Sequence, residues 1–543
     1  MLALVAVVLI AAYAFLASRH AARLSTAVTR HARRVLLVLL GLSAALAVAT
    51  YVDFGVFRYG SYINEWDFYH YYVGTKYAPE LGYANLYGAT LVADHETGLR
   101  YRHPRGQIRD LGTAQLRSVA AVAGEAYRYR ERFSEARWRD FVADIAWFKM
   151  QLPQHRWSLV LVDHGYNGTP AWSFVVGAFL TRWLPVQAPL SRWLMLLLDP
   201  VLLVGAILAV AWAFGIRAAL LTVVFIGAHY LFSWGHLKGA LLRTDFAVAA
   251  LVAVCLVKRG RYPLAGVLLG WAILSRVFPA LLLIGPGLLL LGDLLRGRGL
   301  NRQLGALFLA CGATVVLLVL GSCIYFGGTT IWHEWQDKIA LHYAEGSDWD
   351  LGFRTIAEAS YVRSVPIRGA MVALASGQTA AQAVRPVELL VLVLLSVPAL
   401  AFVRTLAHYE ALAYGFVFIF LFTVASYYYY LILCVPLVFF LADLDKLQNA
   451  LGAAFMFVAG CFGYVLFAGW DPLRPSWVIF RGWHQTFPTY FFMSCLVGVT
   501  VVQMIGLAGW RAWQRDRLAR RRPAANPVGE PHPRQAVLDS PRS

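Results

Sequence analysis

The chain has 543 residues, of which 59% are hydrophobic and only 14% are charged. Soluble domains usually carry about a quarter charged residues, so this composition excludes an ordinary cytosolic enzyme. The formal net charge is +18, but most basic residues stand beside apolar runs, where they are typical of membrane-topology signals. We therefore expect an all-α, polytopic membrane protein with membrane lipids, and not nucleic acid, as its surroundings.

Residues 1–57 predict two N-terminal transmembrane helices. The stretches 1–17 and 35–57 are apolar, and the arginine-rich segment between them indicates a cytoplasmic loop. The second helix then delivers the chain to the extracytoplasmic face of the cell inner (plasma) membrane. Residues 58–157 follow there as a loop of mixed polarity, in which the charged run 124–149 predicts a helix.

Closely spaced apolar segments fill most of the remaining chain. Residues 158–326 predict the transmembrane core, residues 327–386 a second extracytoplasmic loop, and residues 387–510 the C-terminal transmembrane helices. A spanning helix needs about 20 apolar residues, and because several segments are shorter we expect about 12–14 transmembrane or partial helices. The arginine- and proline-rich stretch 511–543 is typical of a basic, disordered cytoplasmic tail.

Basic clusters on both sides of residues 262–293 predict a hairpin within the membrane. Both clusters are expected to be cytoplasmic, so the run between them must rise and return, with its apex near Ser275–Pro279. Each arm holds about 12–14 residues, or roughly 20 Å, which is too short to cross alone and predicts a cavity open to the outer side. The same reasoning predicts returns near His236–Arg243 and Ser426–Tyr430.

Two carboxylates, Glu65 and Asp67, begin the first extracytoplasmic loop at the mouth of this cavity. A carboxylate there can accept a proton from a hydroxyl nucleophile, and a neighbouring carboxylate can orient it or help to hold a divalent cation. The alternative is that the pair merely caps a helix. The aromatic residues around them, including Tyr69, suit packing against a sugar or an isoprenoid.

Arg276 is the second candidate, because it stands inside an apolar hairpin. An arginine in the membrane is costly unless it is paired or lines a polar cavity, so such residues tend to be functional. Its planar guanidinium suits bidentate phosphate binding. The alternative is a structural ion pair with Asp199 or Asp245.

Three further groups of residues are weaker candidates. His236, Lys238 and Arg243 form a possible phosphate-binding set, with a hydrated loop as the alternative. Arg354 lies in the second loop, from where it can reach back to the cavity. The run Tyr427–Tyr430 favours an interfacial aromatic belt, with polyprenyl or sugar contact as the alternative.

Several short motifs occur in order between Asp67 and Pro436. They are Trp66–Tyr72 followed by Gly82 and Leu86-Tyr87, the stretch Gly260–Gly270 followed by Arg276 and Pro279, and Ser426–Pro436. Together they resemble the GT-C superfamily of membrane glycosyltransferases, and within it the bacterial alpha-mannosyltransferase-like branch (glycosyltransferase family 87). The family hairpin usually carries a lysine where this chain has Arg276.

The resemblance implies a GT-C-like bundle that transfers a hexose or pentose, with inversion, from a polyprenyl-phosphate-linked donor to a hydroxyl group of a glycan, glycolipid or protein acceptor. Asp67, with Glu65 beside it, is the implied general base, and Arg276 stabilises the departing phosphate. The expected substrate-binding set is completed by Lys238, Arg243, His236, Tyr69 and Arg354. An isolated Glu-x-Asp is a poor cation cage, so we expect no obligatory metal, although a divalent cation stays possible.

A membrane transporter or flippase for a lipid-linked or anionic substrate is the alternative function. Short broken hairpins and intramembrane charge also describe transporters. The two halves of the chain show no clear internal repeat, however, and a long loop with paired carboxylates favours an enzyme. A scaffold without activity would give no functional role to Arg276 or to the Glu65–Asp67 pair.

Overall fold

The computed structural model describes residues 1–18, 23, 25–57, 60–233, 238–345, 350–359, 364–367, 370–373, 377–469 and 486–521. In this part of the chain, seven helices are long and apolar enough to cross a membrane, and six shorter apolar helices accompany them. The combined number of long and short apolar helices lies within the expected 12–14 transmembrane or partial helices. The prediction of a helical, multi-pass membrane protein is confirmed at this level.

The N-terminus forms two helices, α1 (Leu2–Ala17) and α2 (Thr26–Tyr51). Helix α2 begins before the predicted apolar stretch, because the side chain of Ser25 accepts a hydrogen bond from the Val28 amide at 3.2 Å and caps the first turn. Helices α1, α2 and α13 (Ile216–Ala228) pack against one another. The two N-terminal helices are therefore part of the bundle.

Residues 60–169, which we call the polar domain, supply most of a second hydrophobic core. Large aromatic side chains such as Phe68, Phe141 and Trp157 are fully buried there. The charged run 124–149, where one helix was predicted, is helical but divided into α7 (Ala126–Arg130) and α8 (Glu135–Gln151). The elements are α3 (Glu65–Lys76), α4 (Ala78–Leu81), α5 (Leu86–Glu96), β1 (Gln107–Arg109), β2 (Leu116–Ser118), α6 (Val119–Gly124), α7 (Ala126–Arg130), α8 (Glu135–Gln151) and α9 (Gln154–Val160).

The transmembrane core follows as short helices separated by breaks. Its elements are α10 (Pro170–Val176) with a π turn (Gly177–Thr181), α11 (Pro189–Leu196), α12 (Leu198–Phe214), α13, α14 (Tyr230–Ser233), α15 (Asp245–Lys258), α16 (Tyr262–Ser275), a 3₁₀ turn (Phe278–Leu283), α17 (Ile284–Leu295) and α18 (Arg302–Phe326). Helix α16 ends at Ser275 and the chain turns at Arg276, where the hairpin apex was predicted. A Cβ at Gly266 would lie 2.2 Å from the Leu307 carbonyl oxygen, so glycine is needed for the close packing of α16 on α18.

The C-terminal part contains α19 (Thr330–Glu345), β3 (Asp350–Leu351), α20 (Phe353–Ala359), β4 (Ser364–Ile367), β5 (Ala370–Ala373), α21 (Gly377–Phe402), a 3₁₀ turn (Val403–Thr405), α22 (His408–Tyr414), α23 (Phe416–Phe422), β6 (Ala425–Ser426), a 3₁₀ segment (Tyr427–Leu433), α24 (Cys434–Leu441), α25 (Leu447–Gly469) and α26 (Thr486–Arg521). Strand β3 pairs antiparallel with β6, with Asp350 opposite Ser426. Residues 350–351 are thereby fixed next to the tyrosine run.

The end of α26 corrects the predicted boundary of the tail. The helix continues to Arg521, so residues 511–521, expected in a disordered segment, are helical. These residues are rich in arginine and include two alanines, which are good helix formers and extend the preceding membrane helix. The rest of the predicted tail, residues 522–543, lies outside the described residues.

The outer surface of the bundle is apolar. Large side chains such as Leu309 and Ile324 on α18 are 75% and 83% exposed, as expected for a helix that faces lipid. The polar and charged side chains instead gather where the helices of the core are interrupted, between α14 and α15 and between α16 and α17. These two breaks meet the start of α3 and the 3₁₀ segment Tyr427–Leu433.

Candidate functional site

The first turn of α3 presents Asp67 at the junction between the polar domain and the bundle. The side chain of Asn64 caps the helix by accepting a hydrogen bond from the Asp67 amide at 3.2 Å. The Asn64 amide in turn donates to the Gly239 carbonyl at 2.9 Å. The start of α3 is therefore tied to the loop between α14 and α15.

Gly239 permits this close approach. Its φ of +69° lies in the left-handed region, and a Cβ there would lie 1.7 Å from the Tyr62 carbonyl oxygen. Both the backbone conformation and the lack of space require glycine at this position. The loop that it opens leads directly to Arg243.

Arg243 forms an ion pair with Asp67. Its Nε lies 3.0 Å from Asp67 Oδ2, and the arginine side chain is 3% exposed. The Asp67 side chain keeps 17% exposure, so it remains within reach of a second molecule. The guanidinium also stacks on Tyr71, with its carbon 3.8 Å from the ring centre.

Arg276 reaches the same tyrosine from the hairpin apex. Its guanidinium carbon lies 5.8 Å from the Tyr71 ring centre and 5.4 Å from that of Tyr429. Asp67 and Arg276 thus converge as expected, because both approach Tyr71, Asp67 through its ion-pair partner Arg243. We call Arg243 and Arg276 the arginine pair.

Several N–H groups of the arginine pair are buried without a protein partner. Arg276 donates through Nη1 to the Ser275 carbonyl at 2.6 Å, while its Nε and Nη2 have no hydrogen bond. Nη1 of Arg243 has none either. Buried donors of this kind are rare, and each such group calls for an explanation. Here they face aromatic rings, and an oxyanion between them would satisfy them.

The two aspartates considered as structural partners of Arg276 are bonded elsewhere. Asp199 accepts from the backbone amides of Arg243 and Thr244 at 2.8 and 2.9 Å. It therefore fixes the loop that carries Arg243. No ion pair within 4.0 Å joins Arg276 to either aspartate among the described residues.

Asp245 has a comparable positioning role beside the hairpin apex. Its carboxylate accepts hydrogen bonds at 3.0 Å from the indoles of Trp172 and Trp271 and from the Ser275 hydroxyl. Ser275 directly precedes Arg276, so these bonds hold the end of α16. Asp199 and Asp245 thus position the two arginine-bearing segments.

Burial raises the pKa of Asp67 to about 6, and the positive charges of Arg243 and Arg276 offset part of that increase. The group is therefore ionised at neutral pH but more basic than an ordinary aspartate. A carboxylate of this kind is better suited to accept a proton from a hydroxyl group.

Glu65 does not share this site. Its Oε1 accepts a hydrogen bond from the Ser61 hydroxyl at 3.2 Å, and burial raises its pKa to about 7. Residues two apart on a helix point to different faces. The expectation that Glu65 assists Asp67 directly is corrected for this reason.

Tyr69 is likewise displaced from its expected place. Its hydroxyl is bonded to Thr90 at 2.7 Å, and its fully buried ring packs on Phe148 and Trp157 inside the polar domain. Tyr71, which the sequence reasoning did not select, takes the place beside the arginine pair. A helical projection of α3 from Asp67 would have pointed to it, because residues i and i+4 share a face.

The structure places two of the other expected substrate-binding residues, Lys238 and Arg354. Lys238 pairs with Asp53 at 3.3 Å and lines a partly open pocket of about 350 Å³ beside Thr244 and Tyr428. Arg354 lies in α20, just after the strand that pairs with Ala425–Ser426. His236 lies outside the described residues.

The tyrosine run is not an interfacial belt. Tyr427 and Tyr430 are 1% and 2% exposed inside the bundle. Tyr428 and Tyr429 face the arginine pair, at 5.6 Å from Arg243 and 5.4 Å from Arg276. The pairing of β6 with β3 just before Tyr427 turns the run inward, which hydropathy alone does not reveal.

No family model, curated protein or solved structure matches this chain. Function must therefore be inferred from the residues themselves. In the described ranges, no three His, Cys, Asp or Glu side chains are grouped so that they could hold a metal ion.

Proposed function

We propose that this protein is a membrane glycosyltransferase that takes its sugar from a polyprenyl-phosphate-linked donor and works on the extracytoplasmic side. The observation that carries the proposal is the arginine pair: two buried guanidinium groups with unsatisfied N–H groups stand beside one carboxylate of raised pKa. The guanidinium groups can bind a phosphate, and the carboxylate can accept the proton of a hydroxyl nucleophile.

In the proposed reaction, Asp67 accepts the proton of the acceptor hydroxyl as its oxygen attacks the anomeric carbon. The bond from that carbon to the phosphate oxygen breaks, and its electron pair leaves with the polyprenyl phosphate. The attack comes from the side opposite the phosphate, so the configuration inverts. The arginine pair stabilises the negative charge that develops on the leaving group.

The pocket next to the arginine pair has the chemistry of a lipid phosphate. Its lining combines the polar Lys238 and Thr244 with apolar residues such as Leu203, Phe232 and Leu431. In this proposal the phosphate pairs with Lys238 and the isoprenoid carbons contact the apolar residues. The pocket and the arginine pair share Tyr428 and the loop 238–244, so the donor would contact both.

Transfer by protein reconstituted with candidate polyprenyl-phosphate sugars tests the proposal. Asp67→Asn should lower the transfer rate by about 10²- to 10⁴-fold, the usual contribution of a general base, with donor binding retained. Arg276→Ala should weaken donor binding. Arg117→Gln, which removes a surface partner of Glu125 in the polar domain, is the matched control and should change neither.

Unchanged turnover in Asp67→Asn would remove this residue from the base role, and unchanged donor affinity in Arg276→Ala would remove the phosphate assignment. A transporter or flippase is the alternative function, favoured by the helix breaks that meet at the arginine pair. It requires uptake of the lipid-linked substrate into vesicles without formation of a new glycosidic bond, and the same preparations distinguish the two.

A further inference from the structure

Helix α26 continues past its apolar part as a basic segment. Between Tyr490 and Trp510 the helix rises about 30 Å, which is the thickness of the hydrocarbon core of a bilayer. The turns that follow, residues 511–521, contain five arginines and one aspartate and so carry a net of four positive charges. The basic segment therefore begins where a membrane-spanning helix leaves the hydrocarbon.

This end of α26 lies at the opposite end of the bundle from the arginine pair. Helix α15 begins at Asp245, beside the arginine pair, and ends about 20 Å away at Lys258. The Lys258 ammonium lies 4.1 Å from the ring centre of Tyr409. The next residue, Glu410, accepts a hydrogen bond from Arg511 of α26 at 2.8 Å. The basic segment is therefore separate from the proposed active site.

The first turns of the basic segment have an inner and an outer face. Arg511 points to the bundle, where its guanidinium carbon also lies 5.6 Å from the ring centre of Phe439. Trp510 and Trp513 point away from the bundle, with 43% and 49% of their surface exposed, and their rings stack at 4.9 Å. The guanidinium of Arg517 lies 5.1 Å from the Trp513 ring centre. Paired tryptophans with a cation beyond them are typical of the membrane–water interface.

Three arginines at this end of the bundle are exposed and have no ion-pair partner among the described side chains. Arg515 and Arg517 belong to α26, and Arg404 belongs to the 3₁₀ turn Val403–Thr405. This turn is bonded to α26, because the Thr405 hydroxyl donates to the Ala508 carbonyl at 3.3 Å. The three guanidinium groups are therefore available to an anion from outside the protein.

We propose that this end of the bundle binds anionic phospholipids of the leaflet opposite the arginine pair. The headgroup surface, as we call it, consists of Trp510, Trp513, Arg404, Arg515 and Arg517. The tryptophans lie at the level of the lipid headgroups, and guanidinium groups bind phosphate oxygens in pairs. Basic residues next to a membrane helix are attracted to anionic lipids. The inference goes beyond the proposed function and does not depend on sugar transfer.

Native mass spectrometry of the full chain in neutral detergent, titrated with phosphatidylglycerol or with the neutral phosphatidylcholine, tests the headgroup surface. We expect the wild type to bind phosphatidylglycerol more tightly. Each cation near an anionic lipid surface contributes about fivefold, so replacing Arg404, Arg515 and Arg517 together with glutamine should weaken phosphatidylglycerol binding at least about tenfold. Replacing the same three with lysine keeps the charge and should preserve most of the affinity.

The matched control replaces three exposed arginines of the polar domain with glutamine, namely Arg102, Arg105 and Arg139. This variant has the same change of charge and should bind phosphatidylglycerol as the wild type does. Arg276→Gln should also leave this binding unchanged, which separates the headgroup surface from the arginine pair. Equal melting temperatures in neutral detergent for the wild type and the glutamine variant of the headgroup surface exclude misfolding as the cause of a loss.

Wild-type phosphatidylglycerol affinity in the glutamine variant of the headgroup surface would overturn the proposal. An equal loss in the polar-domain control, or an equal loss of phosphatidylcholine, would overturn it as well, because the effect would then be independent of place or of lipid charge. Polyuridylic acid is the competing polyanion. If it binds more tightly than phosphatidylglycerol and is lost in the same variant, the surface is a nucleic-acid site and the lipid assignment is wrong.

Discussion

The ion pair between Arg243 and Asp67 makes the pH dependence of transfer a sensitive test of the base assignment. At 3.0 Å and an effective dielectric constant of about 20, the Coulomb energy is about 5.5 kcal/mol. One pKa unit corresponds to about 1.36 kcal/mol, so this energy sets a ceiling of about four units. Since water and neighbouring groups rearrange when the charge is removed, the actual shift is smaller, and we expect Arg243→Gln to raise the Asp67 pKa by about one to two units.

The sign of the effect follows from the required protonation state. Asp67 acts as a base only when ionised, so the wild-type rate should fall as the pH drops through about 6. In Arg243→Gln this acid limb should move to higher pH, because a lost positive charge disfavours the ionised carboxylate. Loss of phosphate stabilisation lowers the rate at every pH, but it does not move the limb.

The assay is the initial rate of sugar transfer by reconstituted protein between about pH 5 and 9. Arg243→Lys keeps a positive charge and should leave the limb close to its wild-type position. Arg117→Gln is the control for a general effect of a lost arginine. A limb that stays at the wild-type pH in Arg243→Gln would refute the assignment of Asp67 as the titrating base.

Three further predictions concern stability. Burial raises the folded-state pKa of Glu65 to about 7, so the stability that protonated Glu65 contributes is lost as the pH rises from about 4.5 through 7. Glu65→Gln should therefore be more stable than the wild type by at most about 3 kcal/mol at pH 8 and by much less at pH 5, measured as the difference in detergent-unfolding midpoint. An equal gain at the two pH values would contradict a buried, protonated Glu65. Gly239→Ala should lower the melting temperature and weaken donor binding, because the new Cβ meets the Tyr62 carbonyl oxygen; wild-type values for both would show that the loop can shift freely. Lys76→Gln breaks the buried 2.7 Å pair with Asp144 and should cost about 3–5 kcal/mol of unfolding free energy, while the folded fraction binds donor normally; a loss of donor affinity in that fraction would instead connect this pair to the site.

The positions of the helix breaks could be predicted from the sequence, because charge bias and arm length restrict where the chain must turn. The return at Ser275–Arg276 is the best case: basic clusters on both sides leave no room for a single crossing. Asp67 could also be selected from the sequence, because it is an acid just beyond a predicted membrane helix. Both inferences depend on local composition, which a single sequence contains.

Features that depend on tertiary contacts were not predictable in the same way. The sequence places Glu65 beside Asp67, but the helix that begins there turns the two carboxylates to different faces. The sequence suggests an interfacial position for Tyr428 and Tyr429, but the short pairing of Asp350 with Ser426 directs them inward. The contact between the imidazoles of His164 and His342 carries no local signal, because the two residues are about 180 positions apart in the chain.

Contacts between distant parts of the chain also have a consequence for biosynthesis. Asp67 is made early, Arg243 and Arg276 near the middle, and Tyr429 late. A nascent chain released into the bilayer before residue 429 would lack one wall around the guanidinium groups. If the proposed function holds, activity would begin only after nearly all helices have been inserted, and truncated translation products would be inactive.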